Sequence, residues 1–268
     1  MDLPETFVPG FHDENEVRKM KYNPLGFTGM NVSQIALGTG GFSYLYGEFD
    51  IEECKRTVHD ALRKGINIID TAPFYGHGVS EEVLGKCLEG IPRKAYYLNT
   101  KVGRYDKDIK IQFNFTAEKT RQSVDTSLRR LGVDYVDIIQ AKKIGIICAA
   151  ANAMGLLSSF GPPDWNPATQ HIRDICTEAR EYCKKIGVEL GKLAVYHTLQ
   201  QKGPDTVLIG MNKRNVLEYN LDVLYNGLTQ KEHEAYTEVM KILNKLKQRH
   251  WENIEVTNYW KTIRGPQS

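Results

Sequence analysis

At 268 residues the chain has the length of one barrel-sized domain. With 25% charged and 41% hydrophobic residues and a net charge of +2, it reads as an ordinary globular protein, with no reason to expect a nucleic acid or a membrane surface as partner. No segment reaches the roughly 20 apolar residues that a membrane-spanning helix needs; the longest candidate, Ile144 to Leu157, includes Asn152.

In chain order, the first predicted strand is Val32 to Leu37. It runs into Gly38-Thr39-Gly40-Gly41, which either shapes a tight strand-to-helix turn or lies against a cofactor. That stretch lacks the spacing and the acidic residue of a Gly-x-Gly-x-x-Gly fingerprint. Asp50-Ile51-Glu52-Glu53 predicts a capping box opening an amphipathic helix, with Cys54, Val58, Ala61 and Leu62 on its apolar face and Gly65 at its end. A strand from Asn67 to Ala72 follows. Ser80 is predicted to cap a helix through Leu88, ended by Gly90, before a strand from Ala95 to Val102. Thr116 caps a helix through Leu131 to Gly132, which feeds a strand from Tyr135 to Gln140. Two further strands are read at Ile144 to Ala150 and Thr206 to Met211, the last leading into a helix from Arg214 to Leu224. Strands alternating with helices argue for a parallel α/β sheet.

The chemistry concentrates at two strand ends. Asp70, Tyr75 and Lys101 fall where parallel sheets build their sites. A tyrosine serves as a general acid near neutral pH only if its pKa, ordinarily about 10, is lowered, and a neighbouring ammonium does that. Lys101 would lower it and Asp70 would hold Lys101; the plainer reading is a buried ion pair beside a tyrosine. His77, two residues past Tyr75, reads as a loop residue. The amides opening the helix at Arg214 would face an anion.

These residues resemble the aldo-keto reductases. The Asp-Thr-Ala opening, the Tyr five residues after the Asp and the strand-end Lys are matched by Asp70, Tyr75 and Lys101. Ala153-Met154-Gly155-Leu156-Leu157, Gly161-Pro162-Pro163-Asp164-Trp165 and Val207-Leu208-Ile209-Gly210-Met211-Asn212 look like the L-galactose dehydrogenase branch, and the similarity runs over most of residues 20 to 255. The resemblance implies a (β/α)8 TIM barrel that binds NAD or NADP at the C-terminal ends of its strands, with no Rossmann domain. It also implies hydride transfer to or from a small carbonyl or sugar substrate, C1 of an aldose above all. It assigns cofactor contacts to Asn152, Gly155, Gly210, Met211, Asn212 and Asn220, to which Gly40 of the glycine-rich turn is added as a candidate. Many NADP-dependent relatives carry Arg where this chain has Val216.

The sequence also departs from the family. A fourth catalytic residue, a His just beyond the fourth strand, would fall where this chain reads Ala141-Lys142-Lys143. The next segment, Ile144 to Ala150, resembles the family's seventh strand. The fourth helix, the fifth strand and helix, and the sixth strand and helix are therefore expected to be missing, leaving an incomplete barrel that lacks about two βα units. A six-residue strand is roughly 20 Å long and three linking residues span at most about 11 Å, so the strands flanking Ala141-Lys142-Lys143 cannot lie side by side in parallel. A hairpin, one merged strand over Tyr135 to Ala150, or loss of one strand from the sheet are the alternatives. The merged strand is favoured, because no Gly, Asn or Asp is present for a short hairpin turn. Six strands leave open edges, through which self-association is expected.

A single domain over 1–268 is anticipated, with an extension or hairpin at 1–31 and a C-terminal helix and tail at 229–268. Cys54, Cys87, Cys148, Cys176 and Cys183 lack metal-site spacing, so no metal is expected. With no secretory signal opening the chain, a reducing cytoplasm is the expected compartment. Lys142-Lys143, Lys184-Lys185 and Lys241 to Arg249 read as solvated surface.

Overall fold

The computed structural model describes residues 3–106, 108, 110–140 and 146–247. These residues divide into two compact units, the first within 3–149 and 202–218 and the second within 150–201 and 219–247.

In the first unit, α1 (Glu14–Lys19) precedes an antiparallel hairpin of β1 (Tyr22–Pro24) and β2 (Asn31–Ser33). The strand predicted from Val32 to Leu37 is therefore two strands, since the chain leaves β2 and enters β3 (Ile35–Gly38) after Gln34. One local hydrogen bond and one to the preceding hairpin strand region mark the break. The Ser33 hydroxyl donates to the Ile35 carbonyl at 2.7 Å, and the Gln34 amide donates to the Lys21 carbonyl at 3.0 Å. Next comes α2 (Ile51–Arg63), which Asp50 caps by accepting the Glu53 amide at 3.0 Å, with Cys54, Val58, Ala61 and Leu62 buried as the spacing predicts. Then follow β4 (Ile68–Asp70), α3 (Val79–Leu88), β5 (Tyr97–Lys101), α4 (Ala117–Leu131) and β6 (Ile138–Gln140). Thr116 caps α4 and Gly132 ends it in the left-handed conformation. Ser80 is not the cap of α3; that position is Gly78. The Ser80 hydroxyl is inside the first turn instead, donating to the Thr39 carbonyl at 2.8 Å.

All six predicted barrel strands join one parallel sheet in the order β6-β5-β4-β3-β8-β7, with β7 at Ile147–Ala149 and β8 at Thr206–Gly210. Ala36, Ile68, Tyr97, Ile138, Ile147 and Leu208, one from each strand, share a cluster with Leu25 and Val32 of the hairpin segment. Inward residues alternate with outward ones such as Ile35, Leu37, Ile69 and Leu98, all buried. The sheet is an incomplete (β/α)8 barrel, its N-terminal hairpin packed onto the interior layer.

β6 and β7 stand at opposite edges of this sheet and run in the same direction. This corrects the expectation of a hairpin or a single strand over Tyr135 to Ala150; residues 141–145 themselves lie outside the described residues. The distance argument assumed neighbouring six-residue strands. β6 and β7 have three residues each and are not neighbours. The seven Cα steps from Gln140 to Ile147 reach roughly 25 Å, and nothing obliges the two strands to pair.

The second unit contains α5 (Gln170–Ile186) and α6 (Leu190–Leu199), and later most of α7 (Arg214–Asn226) and α8 (Gln230–Leu243). Its core joins Ala179, Cys183, Leu190, Leu193, Ala235 and Val239. Lys192, 7% exposed, pairs with Asp222 at 3.2 Å and Glu232 at 2.9 Å and so links α6, α7 and α8. Among the described residues no helix is long and apolar enough to cross a membrane.

The α3 to α4 packing is tight enough to reverse a helix preference. A Cβ on Gly85 would stand 2.3 Å from the Arg130 carbonyl oxygen. Alanine is favoured over glycine in a helix by about 1 kcal/mol, but overpacking against backbone costs about 1–3 kcal/mol. Gly85→Ala is expected to lower the urea midpoint, and an unchanged or raised midpoint would show that α4 yields freely.

Candidate active site

Because β4 and β5 pair in parallel with Asp70 opposite Asn99, these two residues face the same side, and Lys101 lies two residues further along that side. Gly38 of β3 is also level with Asp70, and Gln140 of β6 with Lys101. The consequence is a polar layer at the C-terminal end of the sheet, beyond the apolar layer of Ile68 and Tyr97.

Within it, Lys101 Nζ lies 2.7 and 2.6 Å from the two carboxylate oxygens of Asp70 and 3.0 Å from the Thr71 carbonyl. Asn99 donates its amide to Asp70 Oδ1 at 2.5 Å. Tyr75 brings its hydroxyl to 3.5 Å from Asp70 Oδ2, and the Lys101 ammonium lies 4.9 Å from the centre of its ring. Asp70, Tyr75 and Lys101 are thus gathered into one cluster. Asn99 is a fourth member that the sequence reading omitted. A polar residue two positions before a strand-end lysine was the signal available for it.

The Tyr75 turn is unusual backbone. Tyr75–Gly78 is a short 3-10 segment in which Gly76 (φ 62) and His77 (φ 54) are left-handed. A Cβ on Gly76 would come within 2.6 Å of Ser43 Cβ, so glycine is required there by both conformation and space. His77 is exposed and packs edge-on to Phe74.

Electrostatics correct one expectation. Burial and then the Asp70 charge hold the Tyr75 phenol above its ordinary pKa, with Lys101 acting in the opposite direction. Lys101 was expected to leave it lowered. Its influence is outweighed first by burial, which disfavours a phenolate, and then by the Asp70 charge, which repels one. Burial likewise pushes the Asp70 carboxyl upward, against the pull of Lys101 and Asn99.

The predicted cofactor residues divide between the two units. In the first, Gly40 belongs to a 3-10 turn after β3, while Gly210, Met211 and Asn212 end β8 and lead out of it. The Asn212 amide donates to the Gly41 carbonyl at 3.3 Å, joining the two strand-end loops. Gly210 is exposed, and a Cβ there would meet nothing within 4 Å. In the second unit, Asn152 precedes a 3-10 turn ending at Gly155, and its buried side-chain oxygen has no hydrogen-bond partner. Asn220 lies in α7 and is 2% exposed. The amide of Arg214 that was expected to face an external anion already donates to the Glu53 carboxylate at 2.9 Å. That bond, with Arg56 beside it, holds Glu53 below its ordinary pKa. The position where the family's fourth catalytic residue would fall lies outside the described residues.

A parallel barrel-type sheet with an Asp, a Tyr and a Lys gathered at its C-terminal end is the setting in which a family of oxidoreductases matches this chain. The sequence profile of the Aldo/keto reductase family matches residues 34–142 and 138–241, and the chain belongs to that family. L-galactose dehydrogenase of Arabidopsis thaliana is 29% identical over 317 aligned positions, covering 87% of this chain and 97% of its own length. An NADH-specific methylglyoxal reductase of Escherichia coli strain K12 is 39% identical over 132 residues, spanning 44% of this chain and 40% of the relative. Among solved structures, an aldo-keto reductase of Bacillus halodurans in its holo form aligns with a TM-score of 0.60 at 21% identity, over 82% of this chain and 96% of that one. The glycerol dehydrogenase of Gluconobacter oxydans aligns with 0.59 at 22%, over 87% and 98%. These two likenesses concern the fold. An alignment of 317 positions exceeds the chain's 268 residues, so stretches of the Arabidopsis protein have no counterpart here. The two profile segments overlap at residues 138–142, the junction where the sequence departs from the family.

The opposing influences on Tyr75 are separable. Asp70→Asn is expected to lower the Tyr75 titration point and Lys101→Met to raise it. Because the folded value lies above the ordinary one, the stability that Tyr75 confers is complete below about pH 10 and lost as pH rises through the folded value. Carbon-13 labelling of the tyrosine ring carbons reads these shifts, and movement of both variants in the same direction would refute the assignment.

Proposed function

We propose that this chain catalyses reversible hydride transfer between NAD or NADP and an aldose or related carbonyl compound, at a rate limited by its incomplete barrel. The observation that carries this reading is the buried Asp70 carboxylate shared by the Lys101 ammonium and the Tyr75 hydroxyl. When bound, the nicotinamide supplies the hydride to the carbonyl carbon, or accepts it from the alcohol. Tyr75 gives its phenolic proton to the carbonyl oxygen in reduction, or accepts the hydroxyl proton in oxidation. Lys101 opposes the rise in Tyr75 pKa and offsets the phenolate charge. Asp70, fixed by Asn99, holds Lys101 in place.

The residues present suit a dinucleotide. Exposed Gly210, with open space beside its backbone, admits close approach of a flat or charged group; fully buried Met211 and then Asn212 follow it out of β8, and Gly40 lies in the loop after the neighbouring β3. The second unit, taken by itself, offers the unpartnered Asn152 oxygen to an amide donor; Gly155 is the other family-assigned position in its loop, and Asn220 is buried. Val216 offers no cation for a 2′-phosphate, so NAD and NADP are compared directly. The likeness to L-galactose dehydrogenase makes L-galactose the first sugar to assay. Five free cysteines support a reducing, cytoplasmic setting.

The sequence has no His at 141–143 to act as the substrate-oxygen donor expected there. Loss of one such donor commonly costs about 10²–10³ in rate. A second reading, a catalytically silent protein that pairs with another copy or a relative, is favoured by β6 and β7, each of which has no strand partner on one side among the described residues.

Titration of NADH and NADPH, followed by nicotinamide fluorescence, together with steady-state oxidation of L-galactose, decides between them. Cofactor binding is expected, with turnover at least about a hundredfold below that of a full-length family member. Tyr75→Phe should remove a further factor of about 10²–10⁴ without altering the melting temperature. Failure to bind either nucleotide, with association on size exclusion, would replace the enzymatic reading by the second one.

A further inference from the structure

Lys101 lies on the inward face of β5, so Thr100 lies on the outward face, where a buried carboxylate meets a half-buried guanidinium in a second charged pair that hydride transfer does not use. Glu81 of α3 is 0% exposed. It accepts the Thr100 hydroxyl at 2.9 Å and Arg130 Nη1 at 3.3 Å. Arg130, from α4, also approaches Glu82 at 3.7 Å. A Cβ on Gly78 would stand 2.3 Å from Arg130 Cζ and 2.6 Å from each terminal nitrogen, so the guanidinium face occupies the space a side chain would take.

The two ends of this pair reach both halves of the candidate site. Thr100 immediately precedes Lys101, and Gly78 closes the turn that presents Tyr75. That turn carries a left-handed non-glycine residue, His77, a conformation that persists only where the surroundings impose it. The Thr39, Thr71 and Ser80 hydroxyls tie the first turn of α3 to the ends of β3 and β4, but they do not reach β5. An ion pair with one partner buried is a weak source of stability compared with apolar packing, and the best-attested use of such pairs is to specify one arrangement.

We infer that Glu81 and Arg130 are positioning residues. They clamp β5 to the Tyr75 turn so that the phenol and the Lys101 ammonium meet on Asp70. The inference rests on the reading of Tyr75 as the proton donor, but its test does not depend on turnover.

Fluorotyrosine placed at position 75 reports the ring environment and its titration by fluorine NMR in the full chain. Arg130→Met should shift and broaden the Tyr75 resonance and change its titration point, and kcat should fall by about 10²-fold with little change in cofactor KM. Arg130→Lys, which keeps the charge but cannot cover Gly78, should restore the signal only in part. Glu81→Gln, which retains an acceptor for Thr100, should perturb the resonance less than Arg130→Met and in the same sense. A folded Arg130→Met whose Tyr75 resonance and titration match the parent would overturn the inference. Should that variant fail to fold, a parental spectrum in Glu81→Gln would do so. Full activity in Tyr75→Phe, with the fluorotyrosine spectra of the Arg130 and Glu81 variants displaced as expected, would instead refute the proton-donor reading and leave the clamp standing.

Discussion

A carboxylate as deeply buried as Asp70 keeps its charge only if cations and donors surround it, because a lone charge in a protein interior costs many kcal/mol. Lys101 supplies the charge and a two-point contact, Asn99 supplies a neutral donor, and Tyr75 stands at the margin. Everything that gives the candidate site its shape follows from bringing those groups together. The hydrophobic interior layer below sets the floor, the parallel register sets the level, and the left-handed turn after β4 returns Tyr75 over it.

The same register explains why the shortened barrel retains this cluster. Contacts among β3, β4, β5 and their helices are formed between segments close in sequence, and none depends on the absent units. β8 pairs directly with β3, so the glycine-rich loop and the Asn212 segment still meet. The shortening falls instead between β6 and β7, which become the sheet's edges. A local cluster can therefore be intact where the assembly around it is incomplete.

The buried polar groups divide into two tasks. On the inner face of β5, Asn99 and Lys101 hold the Asp70 carboxylate beside Tyr75, the cluster on which the proposed proton transfer rests. On its outer face, Thr100, Glu81 and Arg130 link strand, helix and turn. Lys192 with Asp222 and Glu232 does comparable linking work among helices of the second unit.

Much was legible in the sequence because it depends on local physics. The caps at Asp50 and Thr116, the apolar face of α2, six strands and the strand-end positions of Asp70 and Lys101 all follow from spacing and end signals. The Asp-Tyr-Lys pattern carried the family, which the profile match bears out. What tertiary structure decided involves partners distant in the chain. Val32 to Leu37 divides because Gln34 meets Lys21 and Val207 on either side. Ser80 serves Thr39 and not its own helix end, and Glu53 takes the Arg214 amide that sequence reserved for an external anion. The direction of the Tyr75 shift reversed for the same reason: a neighbouring lysine can be read from spacing, but burial and the closer claim of Asp70 on that lysine exist only once the strands are paired.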